Sequence, residues 1–174
     1  MKILIFSDVH GSVNDLKKIL ELEKSNNFDK VIVLGDLLNK CMGSGWSSEE
    51  NGLLISSMLN SFKDKIIAIR GNCDTVFDEG YLEFKLEDYV MIEVDFRRWF
   101  LSHGHQNEII KGITACDILL NGHTHISKLS NNEINPGSIS LPRKNTTNSY
   151  IIYEDNKFNL YDLNDNKLIE QLQL

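Results

Sequence analysis

Five short apolar runs punctuate this chain: Ile3-Leu4-Ile5-Phe6, Val31-Ile32-Val33-Leu34, Ile66-Ile67-Ala68-Ile69, Trp99-Phe100-Leu101 and Ile118-Leu119-Leu120. Continuous runs of this length, bounded by Gly, Asp or Asn, predict strands buried on both faces. Between the first three, the apolar residues switch to helical spacing, at Val13, Leu16, Ile19, Leu20 and Leu22 and again at Leu53, Leu54, Met58 and Leu59. Ser12 with Asp15, and Ser47 with Glu50, predict the capped starts of these two helices. A β-α-β-α-β order implies parallel strands joined by right-handed crossovers.

From Leu82 onward the pattern changes to short strands with short connections: Tyr89 to Val94, Arg98 to Leu101, Ile118 to Leu120 and Ile126 to Leu129. Asn131-Asn132 has the look of a two-residue hairpin turn. Tyr150 to Tyr153, Phe158 to Tyr161 and Lys167 to Leu172 come next, separated by Asp/Asn turns. A parallel half and a mostly antiparallel half, each with a face to bury, predict two packed sheets with helices outside. Leu37 to Trp46, with Gly43 and Gly45, has no period and is expected to be a mobile loop over the strand ends. Trp46, Trp99, Phe96 and Phe100 are expected as core or loop anchors, Met42 as loop packing.

At 174 residues, without linker, repeat or low-complexity tract, the expectation is one domain spanning 1–174. No apolar stretch approaches the length of a membrane-spanning helix, and the first strand runs straight into Asp8, so neither a membrane nor a signal peptide is expected. Cys41, Cys73 and Cys116 are odd in number and lack CxxC spacing, which argues against a disulfide framework and for a reducing, cytoplasmic setting. Cys116 is expected buried and inert. A net charge of −7 disfavours an extended nucleic-acid track, the only adjacent basic pairs being Lys17-Lys18, Arg97-Arg98 and Arg143-Lys144.

Each apolar run delivers oxygen or nitrogen donors at its carboxyl end. All five histidines fall in Asp8-Val9-His10, Ser102-His103-Gly104-His105 and Gly122-His123-Thr124-His125, while Gly35-Asp36 and Gly71-Asn72-Cys73-Asp74 close the second and third runs. Functional groups of such sheets collect beyond the carboxyl ends of the strands. Asp8, His10, Asp36, Asn72, His103, His123 and His125 would therefore converge on one rim. They are too many for one zinc ion and suit two adjacent ions with a carboxylate between them.

Taken singly, each motif has a blander reading. Asp8-Val9-His10 is more often a turn aspartate beside a surface histidine, Gly35-Asp36 a simple turn, and Gly71 to Asp74 a turn with a helix cap at Asp74. His105 is open among a substrate contact, an outer contact to the site and a solvent-facing residue. Mixed oxygen and nitrogen donors fit manganese, iron, cobalt, nickel or zinc.

The ordered set Asp8-Val9-His10, Gly35-Asp36, Gly71-Asn72-Cys73-Asp74, His103-Gly104-His105 and Gly122-His123-Thr124-His125, with Asn135-Pro136-Gly137-Ser138 after it, resembles the calcineurin-like metallophosphoesterase superfamily. Its particular form, GDLLN, RGNCD, SHGH, NGHTH and NPGSIS, is similar to the YfcE-type bacterial phosphodiesterases.

The resemblance implies a four-layer α/β/β/α sandwich, two mixed sheets flanked by helices, with two divalent ions, manganese foremost, on its rim. One ion would take Asp8, His10, Asp36 and His125, the other Asp36, Asn72, His103 and His123, with Asp36 as the bridge. The implied activity is hydrolysis of a small or nucleotide-like phosphodiester by a hydroxide held between the ions. A non-catalytic protein-binding scaffold of the same fold, as in the retromer subunit, a phosphomonoesterase and a nuclease are the alternatives, and homo-oligomers are left open. Cys73 stands where the wider superfamily has histidine, a candidate general acid. Leaving-group protonation would then fall to a weak thiol donor, with His105 the other candidate for substrate chemistry.

Overall fold

The computed structural model of this chain describes residues 1–39, 45–106 and 117–174. In chain order the elements are β1 (Ile3–Phe6), α1 (Val13–Ser25), β2 (Lys30–Val33), α2 (Glu49–Asn60), β3 (Ile66–Ile69), α3 (Val76–Glu79), β4 (Leu86–Glu87), β5 (Tyr89–Val94), β6 (Arg97–Ser102), β7 (Ile118–Leu120), β8 (Ser127–Leu129), β9 (Glu133–Pro136), β10 (Ser149–Glu154), β11 (Lys157–Asp162) and β12 (Leu168–Gln173). They form a seven-stranded sheet, β12-β11-β10-β1-β2-β3-β4, and a five-stranded sheet, β5-β6-β7-β9-β8. This is an α/β sandwich of two mixed sheets.

Strand alternation divides the core in two. Leu4, Phe6, Val31 and Val33 point to one side, where they pack with Leu16 and Ile19 of α1 and Ile55 and Leu59 of α2. Ile3, Ile5, Ile32 and Leu34 point to the other, where they meet Trp99, Leu101, Ile118, Leu120 and Ile134 of the second sheet. Trp99 stands edge-on to Tyr153 with centroids 4.7 Å apart, so the C-terminal strands share this second core.

That last contact corrects the expectation of a parallel and an antiparallel half. β10 joins the free edge of β1, antiparallel, with Leu4 opposite Ile152. The five-stranded sheet is mixed as well, β6-β7-β9 running parallel between antiparallel outer strands β5 and β8. Hydrophobic pattern identifies strands that must be buried but does not say which edge they join. The β8–β9 hairpin turns at Asn131-Asn132 as expected, closed by Ser130 N donating to Glu133 O at 3.0 Å.

Four local readings are corrected too. Ser48, not Ser47, caps α2, its hydroxyl accepting from Asn51 N at 3.1 Å. The inward face of α2 is Gly52, Ile55, Ser56 and Leu59, leaving Leu53 and Leu54 at 45% and 40% exposure. Small residues hide this face from a hydrophobicity count: the Trp46 indole lies so close to Gly52 that a Cβ there would come within 1.8 Å of it. Thr75, not Asp74, caps α3, in a reciprocal capping box with Asp78. Phe96 is 98% exposed at the β5–β6 turn, where both Asp95 and Phe96 are left-handed, φ +49° and +64°.

Trp46 is the loop anchor expected, its Nε1 donating to Asp78 Oδ1 at 2.7 Å and its ring edge-on to Tyr81 at 4.9 Å. Residues 40–44, with Cys41, Met42 and Gly43, and residues 107–116, with Cys116, lie outside the described residues, and with them half of the expected loop over the rim. Among the described residues no helix is long and apolar enough to cross a membrane.

Candidate metal centre

Parallel pairing of β1, β2 and β3, and of β6 with β7, puts the residues after these strands on one rim. The backbone turns there through the left-handed region at Asp8, His10, Asp36, His123 and His125, with φ between +45° and +64°. Asp and His tolerate this conformation better than β-branched residues do. Each instance still costs about 1–3 kcal/mol and persists only where neighbours over-determine it. They do so here: Asp8 N donates to Gly35 O at 3.0 Å, His10 N to Asp36 O at 2.9 Å, and the Ser138 and Ser140 hydroxyls donate to Asp8 O at 2.7 and 3.0 Å.

Two glycines leave room for the carboxylates. A Cβ on Gly71 would lie 2.0 Å from Asp36 Oδ1, and one on Gly122 would lie 2.0 Å from Ser7 Oγ and 2.8 Å from Asp8 Oδ2.

Asp8, His10, Asp36 and His125, all buried, each place one donor atom within 4.8 Å of the others. His10 Nδ1 donates to Asn39 O at 3.0 Å and His125 Nδ1 to Leu141 O at 2.7 Å. In the neutral tautomers this leaves both Nε2 lone pairs facing inward, 3.1 Å apart. Asp8 Oδ1 lies 3.3 Å from His125 Nε2 and 3.6 Å from His10 Nε2, buried and without a hydrogen-bond partner. An orphaned carboxylate oxygen among converging imidazole lone pairs is the donor set of a cation site, so these residues fit a divalent metal.

A second group adjoins the first through Asp36. Its Oδ2 is 3.6 Å from His10 Nε2 and 3.4 Å from His103 Nε2. His103 Nδ1 donates to Leu34 O at 2.5 Å, and its Nε2 lies 3.2 Å from Asn72 Oδ1. His123 stands edge-on to His103 at 5.1 Å, while its backbone N donates to Asp8 Oδ2 at 3.1 Å. The fold thus sets Asn72, His103 and His123 beside the group of four.

The electrostatics of the cluster are mutual. Burial pushes Asp8 up, but His10, His125 and His103 pull it further down, well below the usual carboxylate range. Burial likewise opposes Asp36, where His103 and the Cys73 amide prevail and lower it. His10 and His103 are pulled down by burial and raised on balance by Asp8 and Asp36. His123 and His105 are lowered, by burial first and then by His103.

Asp74 holds the centre from beneath. Its carboxylate accepts Asp36 N at 2.8 Å, Leu37 N at 2.7 Å and Gly71 N at 2.8 Å, tying the turns after β2 and β3 together. Burial pushes its pKa up to about 6 against the pull of those amides.

Cys73 meets the centre through its backbone, whose N donates to Asp36 Oδ1 at 2.8 Å. It also lines a cavity of about 210 Å³ with Asn39, Trp46, Thr75 and Phe77. His105 lies farther out, its ring 5.4 Å from His103 and 6.1 Å from His123, with a buried Nδ1 that has no hydrogen-bond partner.

Sequence reasoning missed the supports. The carbonyls of Leu34, Asn39 and Leu141 that orient the imidazoles carry no residue-type signal. Asp74 was legible only as a cap. The Asn39 side chain bridges Cys73 O at 2.8 Å and Asp78 Oδ2 at 2.6 Å, and here the Thr75-x-x-Asp78 capping pattern was an available signal.

The sequence profile of the calcineurin-like phosphoesterase superfamily domain matches residues 1–157. The phosphodiesterase YfcE of Escherichia coli is 30% identical over 181 aligned residues, covering 100% of this chain and 98% of that protein. A phosphodiesterase of Methanocaldococcus jannaschii is 25% identical over 135 residues, covering 72% and 74%. The solved structure of E. coli YfcE superposes with a TM-score of 0.85, covering 99% of this chain and 98% of that one. Vacuolar protein sorting 29 of Entamoeba histolytica superposes at 0.66 with 20% identity over 100% and 99%, a likeness of fold alone. The chain belongs to the calcineurin-like phosphoesterase superfamily.

Proposed function

We propose that this member of the superfamily is a metal-dependent phosphodiesterase, acting as one domain on small or nucleotide-like phosphodiesters in a reducing cytoplasm. The observation that carries this reading is Asp8 Oδ1, a buried carboxylate oxygen with no hydrogen bond that faces the Nε2 atoms of His10 and His125. Asp8, His10, Asp36 and His125 would hold one divalent ion and Asp36, Asn72, His103 and His123 the other, with manganese our first choice. Such a pair of ions supplies water activation and neutralises charge on the phosphoryl oxygens.

The chain's own residues do the rest. Leu34 O, Asn39 O and Leu141 O hold three imidazoles by Nδ1 and so keep each Nε2 forward, a fixed orientation that outer contacts of this type typically provide. Asp74 fixes the backbone on both sides of Asp36. The Cys73 thiol, whose Sγ accepts from Asn72 Nδ2 at 3.4 Å, would be a weak proton donor, which favours substrates whose leaving groups need little protonation. His105, kept toward its neutral form by burial, would contact the substrate.

Elemental analysis of the purified protein, paired with a panel of diester, monoester and nucleotide substrates, tests the reading. The expected result is two equivalents of metal and highest turnover on activated diesters. Absence of any phosphoesterase activity in metal-replete protein would replace the enzyme with a binding scaffold.

A further inference from the structure

A groove of about 580 Å³ opens from His10 along the start of α1, walled by Asn14, Lys17, Asn51, Leu54 and Leu141. It abuts the centre on two sides, because Leu141 O is also the acceptor for His125 Nδ1 at 2.7 Å. Its composition differs from the rest of this acidic molecule: the chain carries 25 Asp and Glu, yet among the described residues none that lines the groove is acidic. Leu54 and Leu141, 40% and 42% exposed, supply apolar wall, which accounts for a leucine of α2 that does not join the core.

Lys17 is the cation of this groove. Its neighbour Lys18 is engaged by Asp15 Oδ1 at 3.1 Å and Asn164 Oδ1 at 2.8 Å. Lys17 has no acidic partner among the described residues. It is exposed, the fifth residue of α1, and stands about 6 Å along the helix axis from Val13, a second residue of the groove wall.

We propose that this groove holds one ester arm of the substrate and that Lys17 makes it selective for an arm bearing a second anionic group, a nucleotide-sized alcohol with its own phosphate. The volume matches an organic arm of that size. The leucines would cover its apolar part, and the Lys17 ammonium, which has no acidic partner among the described residues, would receive its charge. The proposal rests on the phosphodiesterase reading and adds a substrate class to it.

The test compares two diesters with the same leaving group: the 5′-(4-nitrophenyl phosphate) of thymidine and its counterpart with a 3′-phosphate. With the metal-loaded parent, kcat/KM should favour the 3′-phosphorylated ester about fivefold, the scale of one partly exposed ion pair, and the preference should shrink with added salt. Lys17→Ala should bring the ratio to about one and Lys17→Arg restore it. Lys24→Ala, which removes the same charge from the last turn of α1, should leave the ratio in place. Calorimetric titration with thymidine 3′,5′-bisphosphate and thymidine 5′-phosphate should show the same preference and the same loss in Lys17→Ala.

Equal kcat/KM for the two esters in the parent, or a preference that survives Lys17→Ala, overturns the proposal. If neither ester nor bis(4-nitrophenyl) phosphate is hydrolysed, the phosphodiesterase reading fails, and the titrations still decide whether the groove prefers the doubly charged nucleotide.

Discussion

His10 and His125 meet with their Nε2 atoms 3.1 Å apart, each ring held from behind by a backbone carbonyl at its Nδ1. Two lone pairs at that separation repel unless a proton or a metal ion lies between them. His103 repeats this arrangement, its Nδ1 held by Leu34 O and its Nε2 3.4 Å from Asp36 Oδ2. The first consequences concern metal binding.

A saturating divalent ion should stabilise the fold. At a hundredfold excess over Kd, linkage gives about 2.7 kcal/mol, or about 5–10 °C in Tm for a chain of this size. Melting curves with manganese and with chelator measure it, and coincident curves would show that the cluster binds no metal.

That increment should depend on pH. His10 and His103 have folded values raised above the ordinary 6.5. Their contribution to the metal-free fold is fully present below 6.5 and is lost as pH rises through the raised values. Metal must displace those protons, so the metal-induced Tm increment should shrink as pH falls through that window. An increment constant between pH 5 and 9 would contradict the assignment of these imidazoles.

Asp36→Asn should cost turnover at least about 10²-fold, since Asp36 Oδ2 reaches toward both His10 and His103. His105→Ala should cost about tenfold or less, its ring lying outside both groups. Steady-state kinetics on an activated diester rank the two, and equal losses would remove Asp36 from its bridging position.

Asp74→Ala strands three buried amides, each worth about 1–3 kcal/mol when unpaired, so a destabilisation of at least about 3 kcal/mol is expected. Denaturant unfolding gives the number. Metal affinity should fall about 10–100-fold in the same variant, because the turns that carry Asp36 and Asn72 lose their common anchor.

Cys73→His should raise kcat/KM on diesters with poor leaving groups by up to the order of 10²-fold, and on activated aryl esters by less than about threefold. The cavity between Cys73, Trp46 and Phe77 gives an imidazole room. A series of graded leaving-group pKa separates the cases: parallel gains across it would mean that position 73 shapes the site without donating a proton.

The ligand residues were legible because their chemistry lies in side-chain type and in placement after a buried strand. Asp8, Asp36, His103 and His123 each come within a few residues of the end of such a run. Their supports were not legible, because every residue has a carbonyl and only the fold decides that those of Leu34, Asn39 and Leu141 face an imidazole. Packing misled where size and hydrophobicity part company: Leu53 and Leu54 looked like part of the buried face of α2, while Gly52, beneath Trp46, and Ser56 share that face with Ile55 and Leu59. The pairing of β10 with β1 could not be read from periodicity, which is the same for any buried strand on either edge.

That pairing bears on how the centre comes into being during synthesis. β1, which presents Asp8 and His10, completes its sheet with β10, and the oxygen of Asp8 is fastened by Ser138 and Ser140, so the first ligands made wait for partners about 130–150 residues away. At about 5–20 residues per second the delay is roughly 7–30 s, during which the first donors of the nascent chain lack these anchors. Contacts this distant also slow folding once the chain is released. Fixing the turn that carries Asp8 and His10 is thus a closing event of biogenesis, which waits for Ser138, Ser140 and β10 to leave the ribosome.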